Sequence, residues 1–256
     1  MRNIWTIYRK ELKSYFSSWI AWMLMAFFAF VFGWFFYNAT AFFVSRSMQA
    51  QMMGGGGQPM NMNEWIIRPV LMNVSVIGLF VIPMLTMRLF AEEKRTGTIE
   101  LLMTSPIRDY ELILAKWLAA LTLYAAILAA SAINLVFLFI YGTPDWKPIL
   151  VGYLGLLLQG GCLLAIGTFI STLTRNQIIA VGVTFAVCLM LWVLDWVSGF
   201  ETATWARVLS YLSVVTHYES FSKGVIDTRD LVYYASVIFF GLFLTARSME
   251  ALRWRA

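Results

Sequence analysis

Residues 91–116, AEEKRTGTIELLMTSPIRDYELILAK, carry nine charged side chains in a chain that is otherwise mostly apolar. An apolar run long enough to cross a bilayer lies on each side of this stretch. The stretch itself cannot lie in hydrocarbon, because each charge buried there would cost several kcal/mol. It reads as a folded, charged connector on one face of a membrane, placed where a soluble partner could push on the helices at both its ends.

Composition supports the membrane setting. The 256 residues are 60% hydrophobic, 16% aromatic and only 13% charged, with a mean hydropathy of +0.72. Soluble domains carry about 25% charged residues. No polar segment is long enough for a separate soluble domain, so residues 1–256 read as a single transmembrane domain. Cys162 and Cys188 fall inside apolar runs and read as small buried side chains. A basic N-terminus precedes an apolar run of spanning length with no small-residue cleavage site, so no cleavable signal peptide is expected.

The pattern predicts an all-α integral membrane protein. Residues 2–16 form an amphipathic helix with Ile4, Trp5, Tyr8, Leu12, Tyr15 and Phe16 on one face and Arg2, Arg9, Lys10 and Lys13 beside it, the pattern of a helix lying in the membrane interface. Six spans are expected, at 19–43, 70–89, 117–141, 149–173, 178–197 and 231–246, the last short and extending towards Met249. With alternating loops, the side holding the N-terminus receives 13 of the 19 Lys and Arg residues and the other side 6. The positive-inside rule then puts both termini and the connector in the cytoplasm. The net charge of +5 is therefore a topology signal, and nucleic acid is not an expected partner.

Outside the membrane, residues 44–67 read as a flexible loop with four glycines in succession. Its Met48, Met52, Met53, Met60 and Met62 are soft ligands of the kind that hold Cu(I). A tolerant low-complexity loop explains them as well, and no metal site is assigned. Gly152, Gly155, Gly160, Gly161 and Gly167 in the fourth span, with Gly182 and Ala186 in the fifth, permit close helix approach, either as static packing or as a sliding surface. Residues 198–230 are too apolar for a free loop and too interrupted to span, which fits short re-entrant or interfacial helices. His217, the single histidine, reads as an interfacial hydrogen-bonding group without the partners a catalytic set needs.

Within the connector, Glu92, Glu93, Lys94 and Arg95 continue the second span into water. Gly97 allows a change of direction. Ile99, Leu101, Leu102 and Met103 form an apolar segment that could seat in a partner's groove. Ser105-Pro106 reads as N-cap and first residue of the next helix, with Asp109 and Glu111 favourable to its dipole. A short inner turn ending in Arg175 and Asn176 offers a second cytoplasmic contact. The chain has no phosphate-binding GxxxxGK[ST] loop and no titratable group deep in a span, so it neither handles ATP nor shows a proton path. Energy must come from another subunit.

These residues resemble the signature of type-2 ABC exporter permeases. Glu92, Glu93, Gly97, Thr98, Glu100, Leu101, Leu102, Pro106 and Lys116 match its acidic pair, Gly-Thr, Glu, leucine pair, proline and closing lysine. The resemblance extends over the whole chain, and HYESFSKGVID at 217–227 is similar to the gliding-motility branch, with copper-enzyme maturation permeases more distant. The resemblance implies a non-enzymatic permease subunit in a bacterial cytoplasmic (inner) membrane. Its expected partners are a second permease copy, a cytoplasmic ABC ATPase dimer that holds ATP and Mg, and in this branch often an accessory membrane protein with an extracytoplasmic domain. No cofactor is expected on this chain. Residues 92–108 would be the coupling helix region, Arg108 included. The alternative is a non-transporting membrane anchor or mechanical transmitter of a surface complex.

Overall fold

A computed structural model describes residues 2–52, 61–104, 107–198 and 211–253. The described residues form helices and loops and contain no strand. In chain order the helices are α1 (Arg2–Ser17), α2 (Trp19–Met52), α3 (Arg68–Thr86), α4 (Ala91–Thr96), α5 (Thr98–Thr104), α6 (Asp109–Tyr141), α7 (Trp146–Leu173), α8 (Gln177–Ser198), α9 (Tyr218–Ser222) and α10 (Thr228–Arg253). A π-helical turn, Asn63–Ile67, leads into α3. Six of the helical segments are long and apolar enough to cross a membrane. The chain is therefore a multi-pass helical membrane protein.

Helix α7 is the hub. It packs against α3, α6, α8, α9 and α10, and its glycines explain how. A Cβ on Gly160 would lie 2.2 Å from the Tyr124 ring of α6, and one on Gly167 would lie 2.5 Å from Thr86 of α3. Static close packing is thus the role of these two positions. Gly182 differs: a Cβ there meets nothing within 4 Å. Among the described residues, nothing packs against this position of α8.

Several element boundaries move relative to the sequence reading. Helix α2 continues to Met52, so the first part of the expected flexible loop 44–67 is helical, while residues 53–60 lie outside the described residues. The long helix of the third span begins at Asp109, with Arg108 in extended conformation as its N-cap. Ser105 and Pro106 therefore precede that helix and do not start it, and their own structure is outside the described residues. Helix α3 ends at Thr86, and the charged residues after it form the separate helix α4 instead of prolonging the span.

The described part of the segment expected outside the membrane, 211–230, packs onto the helix bundle. Tyr218 and Phe221 of α9 are fully buried and α9 packs on α7 and α3. Arg68 at the start of α3 reaches Glu219 at 3.2 Å, and Lys223 reaches the same carboxylate at 2.7 Å. The Lys223 hydrogen bond, with both cations nearby, holds the Glu219 carboxyl below its ordinary range. The group is half exposed, so the pair is worth no more than about 1 kcal/mol. His217 is buried and bridged, with Nδ1 2.7 Å from Asp230 and Nε2 2.9 Å from the Tyr211 carbonyl. Its hydrogen-bonding role holds, with both partners inside the protein. The rest of the segment expected to be re-entrant, 199–210, lies outside the described residues.

The two glycine environments give a prediction of opposite signs. Gly160→Ala should destabilise the protein by about 1–3 kcal/mol, because the Tyr124 ring has no room to yield. Gly182→Ala should be neutral or slightly stabilising, gaining helix propensity without a clash. Thermal unfolding midpoints of the two variants in one detergent check this.

Candidate functional site: a charged connector clamped to the membrane helices

The connector is a two-helix hairpin, α4 then α5, hinged at Gly97. Gly97 has φ +75°, the left-handed conformation that closes α4 and that side chains with a Cβ rarely adopt. Thr96 and Thr98 hydroxyls lie 2.9 Å apart across this hinge. Thr98 and Glu100 are exposed, and Ile99 turns into the core. Leu102 is half-buried. The side-chain setting of Leu101 and the whole of Pro106 lie outside what the structure describes. Arg108 is exposed and donates to the Tyr110 hydroxyl at 3.0 Å.

A helix of six residues has no independent stability, so α4 must be held from outside. Its start is held by Ser171 of α7, whose Oγ accepts the backbone N–H groups of Phe90 and Ala91, each at 3.1 Å. This is N-capping supplied by another helix. Its middle is held by Lys94, which donates to the Thr172 carbonyl. Arg175 and Asn176 follow directly, both exposed. Asn176 Oδ1 accepts the Ile178 N–H at 2.9 Å and so shapes the start of α8. Helix α4 touches both α7 and α8, so the two segments singled out in the sequence as contact sites meet in one assembly.

The strongest clamp is ionic. The Lys116 side chain on α6 is 2% exposed, and its Nζ lies 3.1 Å from Glu11 of α1 and 2.8 Å from Glu93 of α4. The Phe90 ring covers it, with its centroid 5.3 Å from Nζ. One buried ammonium thus joins the N-terminal helix, the connector and a membrane helix. Around it, α1 is fastened along α6 by Tyr8 to Thr122 at 3.0 Å and by Asn3 to Glu111 at 3.3 Å. Glu111 also accepts the Arg108 backbone N–H at 3.3 Å and so caps α6. Asp109 and Arg253 pair at 3.3 Å, bringing the last helix to the same end.

Sequence reasoning missed Glu11, Ser171 and Thr172. Glu11 sits among basic residues in an amphipathic helix and looks like ordinary surface charge. Ser171 closes an apolar run. Only the pairing of distant segments reveals either role. Lys116 was visible as the last residue of the charged stretch, and its burial was the hidden part. Helix α4 is thus tied to α1, α6 and α7 by side-chain contacts, and α5 follows it across Gly97. Among the described residues, no cluster of three or more His, Cys, Asp or Glu is placed to hold a metal ion.

These elements define the class as a polytopic helical membrane protein, with a charged connector held against its long helices. Residues 5–247 match the family model described as ABC-2 family transporter protein. The chain belongs to that family. It is also similar to the probable multidrug ABC transporter permease YbhR of Escherichia coli strain K12, with 23% identity over 165 residues, which is 63% of this chain and 44% of the relative. The protein of the same name from Escherichia coli O157:H7 matches equally. The aligned part spans less than half the length of these curated relatives.

Lys116→Met should leave Glu11 and Glu93 without their cation and destabilise the protein by about 3 kcal/mol. Adding Glu11→Gln and Glu93→Gln to that variant should restore a large part of the loss. Denaturant or thermal unfolding of the single and triple variants checks both outcomes.

Proposed function

We propose that this chain is the permease subunit of an ATP-driven ABC transporter, in which a separate cytoplasmic ATPase acts on the α4–α5 connector. The observation that carries the reading is the Glu11–Lys116–Glu93 clamp. It makes a hairpin exposed at Thr98 and Glu100 mechanically continuous with the membrane helices. Membership of the ABC-2 family supports it. Glu92, Glu93, Gly97, Thr98, Glu100, Leu101, Leu102, Pro106 and Arg108 form the coupling site in this reading, with Arg175 and Asn176 as its second contact.

The ATPase works as a dimer that holds ATP and Mg, and two permease copies stand side by side above it. The lightly buried faces of α2 and α8, each with 22% of its apolar window buried within the chain, suit such a neighbour as well as lipid. Both termini and the connector face the cytoplasm of a bacterial inner membrane, and the inward-folded 211–230 segment forms the outer, re-entrant cap. The permease contributes no catalytic residue. It changes between inward- and outward-facing states when the ATPase closes. An accessory membrane protein with an extracytoplasmic domain completes the complex on the outer side.

The test is purification from native membranes in mild detergent, followed by an ATPase assay. A nucleotide-binding subunit should co-purify. Gly97→Pro removes the left-handed hinge, and Glu100→Lys reverses an exposed charge of the hairpin. Both variants should insert normally and lose the coupling of ATP hydrolysis to transport. Unchanged substrate-stimulated hydrolysis in both would sink the coupling assignment. Absence of any ATPase under gentle conditions would favour a mechanical anchor for a surface complex.

A further inference from the structure

Between α1, the start of α2 and the turn into α4 lies a cavity of about 240 Å³ that shares only Glu11 with the Lys116 clamp. Glu11, Ser14, Tyr15, Ser17, Ser18, Arg88 and Glu92 line it. Its charges are mixed: one guanidinium and four hydroxyls, those of Tyr15 and Ser17 already donated to backbone carbonyls, faced by two carboxylates. Arg88 is the informative side chain. Its Nη1 donates to Ser18 Oγ at 3.2 Å, while its Nε is buried and has no hydrogen-bond partner. The nearest carboxylate oxygen, on Glu92, is 4.0 Å from that Nε, beyond hydrogen-bond reach. The Arg88 side chain as a whole is 31% exposed and lines the cavity, so its guanidinium can meet an acceptor there.

The setting says where that acceptor comes from. Ser18 is followed by Trp19 and Ile20, with Trp22 and Met23 one turn on, all exposed apolar side chains at the foot of a membrane span. Tryptophans in that position mark the headgroup level of a bilayer. The cavity therefore opens where lipid headgroups lie. A purely anionic group would satisfy Arg88 and the serines but would face Glu11 and Glu92. A purely cationic group would leave Arg88 as it is.

We infer that this cavity binds a zwitterionic aminophosphate group, the headgroup of an aminophospholipid. The phosphate takes the Arg88 guanidinium and the hydroxyls of Ser14 and Ser18, and the ammonium lies against Glu92. Glu11 closes the back of the site through its existing bond to Lys116. Charge-assisted contacts of this kind discriminate by partner and not by acyl chain.

Native mass spectrometry of the detergent-purified full chain tests this with phosphatidylethanolamine, phosphatidylcholine and phosphatidylglycerol added at equal concentrations, and with soluble phosphoethanolamine. The most tightly held adduct should be phosphatidylethanolamine. Phosphatidylcholine lacks N–H donors for Glu92, and phosphatidylglycerol lacks the cation. Arg88→Gln should weaken retention of phosphatidylethanolamine by about tenfold, the size of one lost charged hydrogen bond. Glu92→Gln, a change on the partly exposed face of α4, should abolish the preference over phosphatidylglycerol. If soluble phosphoethanolamine is retained as well as the diacyl lipid, the site takes a free headgroup of the same chemistry. If only the lipid is retained, the bilayer is the source. Equal retention of the three lipids, stronger retention of phosphatidylglycerol, or two variants indistinguishable from the parent would overturn the inference. The readout is binding alone, so it stands or falls independently of the transporter reading.

Discussion

A lysine ammonium removed from water between two carboxylates is costly unless all its donors are used. Lys116 is held at 2.8 and 3.1 Å by glutamates from two other helices, under an aromatic ring. The cost of stripping its water is what makes the arrangement specific. If α1, α4 or α6 shifts by one residue, an unpaired charge is left in a low-dielectric site. The interaction therefore fixes the register of three elements, of which α1 is remote in sequence from the other two. The connector acquires a defined position even though neither of its helices is long enough to be stable alone.

In the proposed function, a second set of contacts turns that position into a lever. Ser171 and Thr172 at the end of α7 receive the start and middle of α4. Helix α7 is packed by glycines against α3 and α6 without slack. Close-packed interiors transmit displacement instead of absorbing it. Thus a push on the exposed face of the hairpin has a continuous path into the membrane helices through packed side chains. Gly97 is the one place on that path where the backbone conformation itself sets the angle.

Much of this was legible in the sequence because hydrophobic run length and charge placement are local properties. The six spans, the amphipathic N-terminal helix, the charged connector and the hinge at Gly97 could all be read from windows of about 20 residues or fewer. What was hidden depends on pairing across the chain. Glu11 and Lys116 are 105 positions apart, and Ser171 meets Phe90 across 81. No periodicity marks such a pair. The boundary errors have a local cause. Helix α2 outruns the apolar window because 44–52 contains no helix breaker, and hydropathy does not detect a helix that leaves the membrane still wound. The capping assignment at Ser105-Pro106 followed good local rules, but Glu111 caps the helix from within, one turn later.

The central claim is that the α4–α5 hairpin, with the neighbouring α7–α8 turn, is the surface on which a nucleotide-binding subunit acts. Site-specific photo-crosslinking in intact membranes tests it most directly. A photoreactive residue would be placed in turn at Thr98, at Asn176, and at Tyr141 at the opposite end of α6. The account predicts that Thr98 and Asn176 each crosslink to one and the same ATP-binding protein, and that Tyr141 does not. Crosslinks to that protein from Tyr141, or from neither Thr98 nor Asn176, would contradict it.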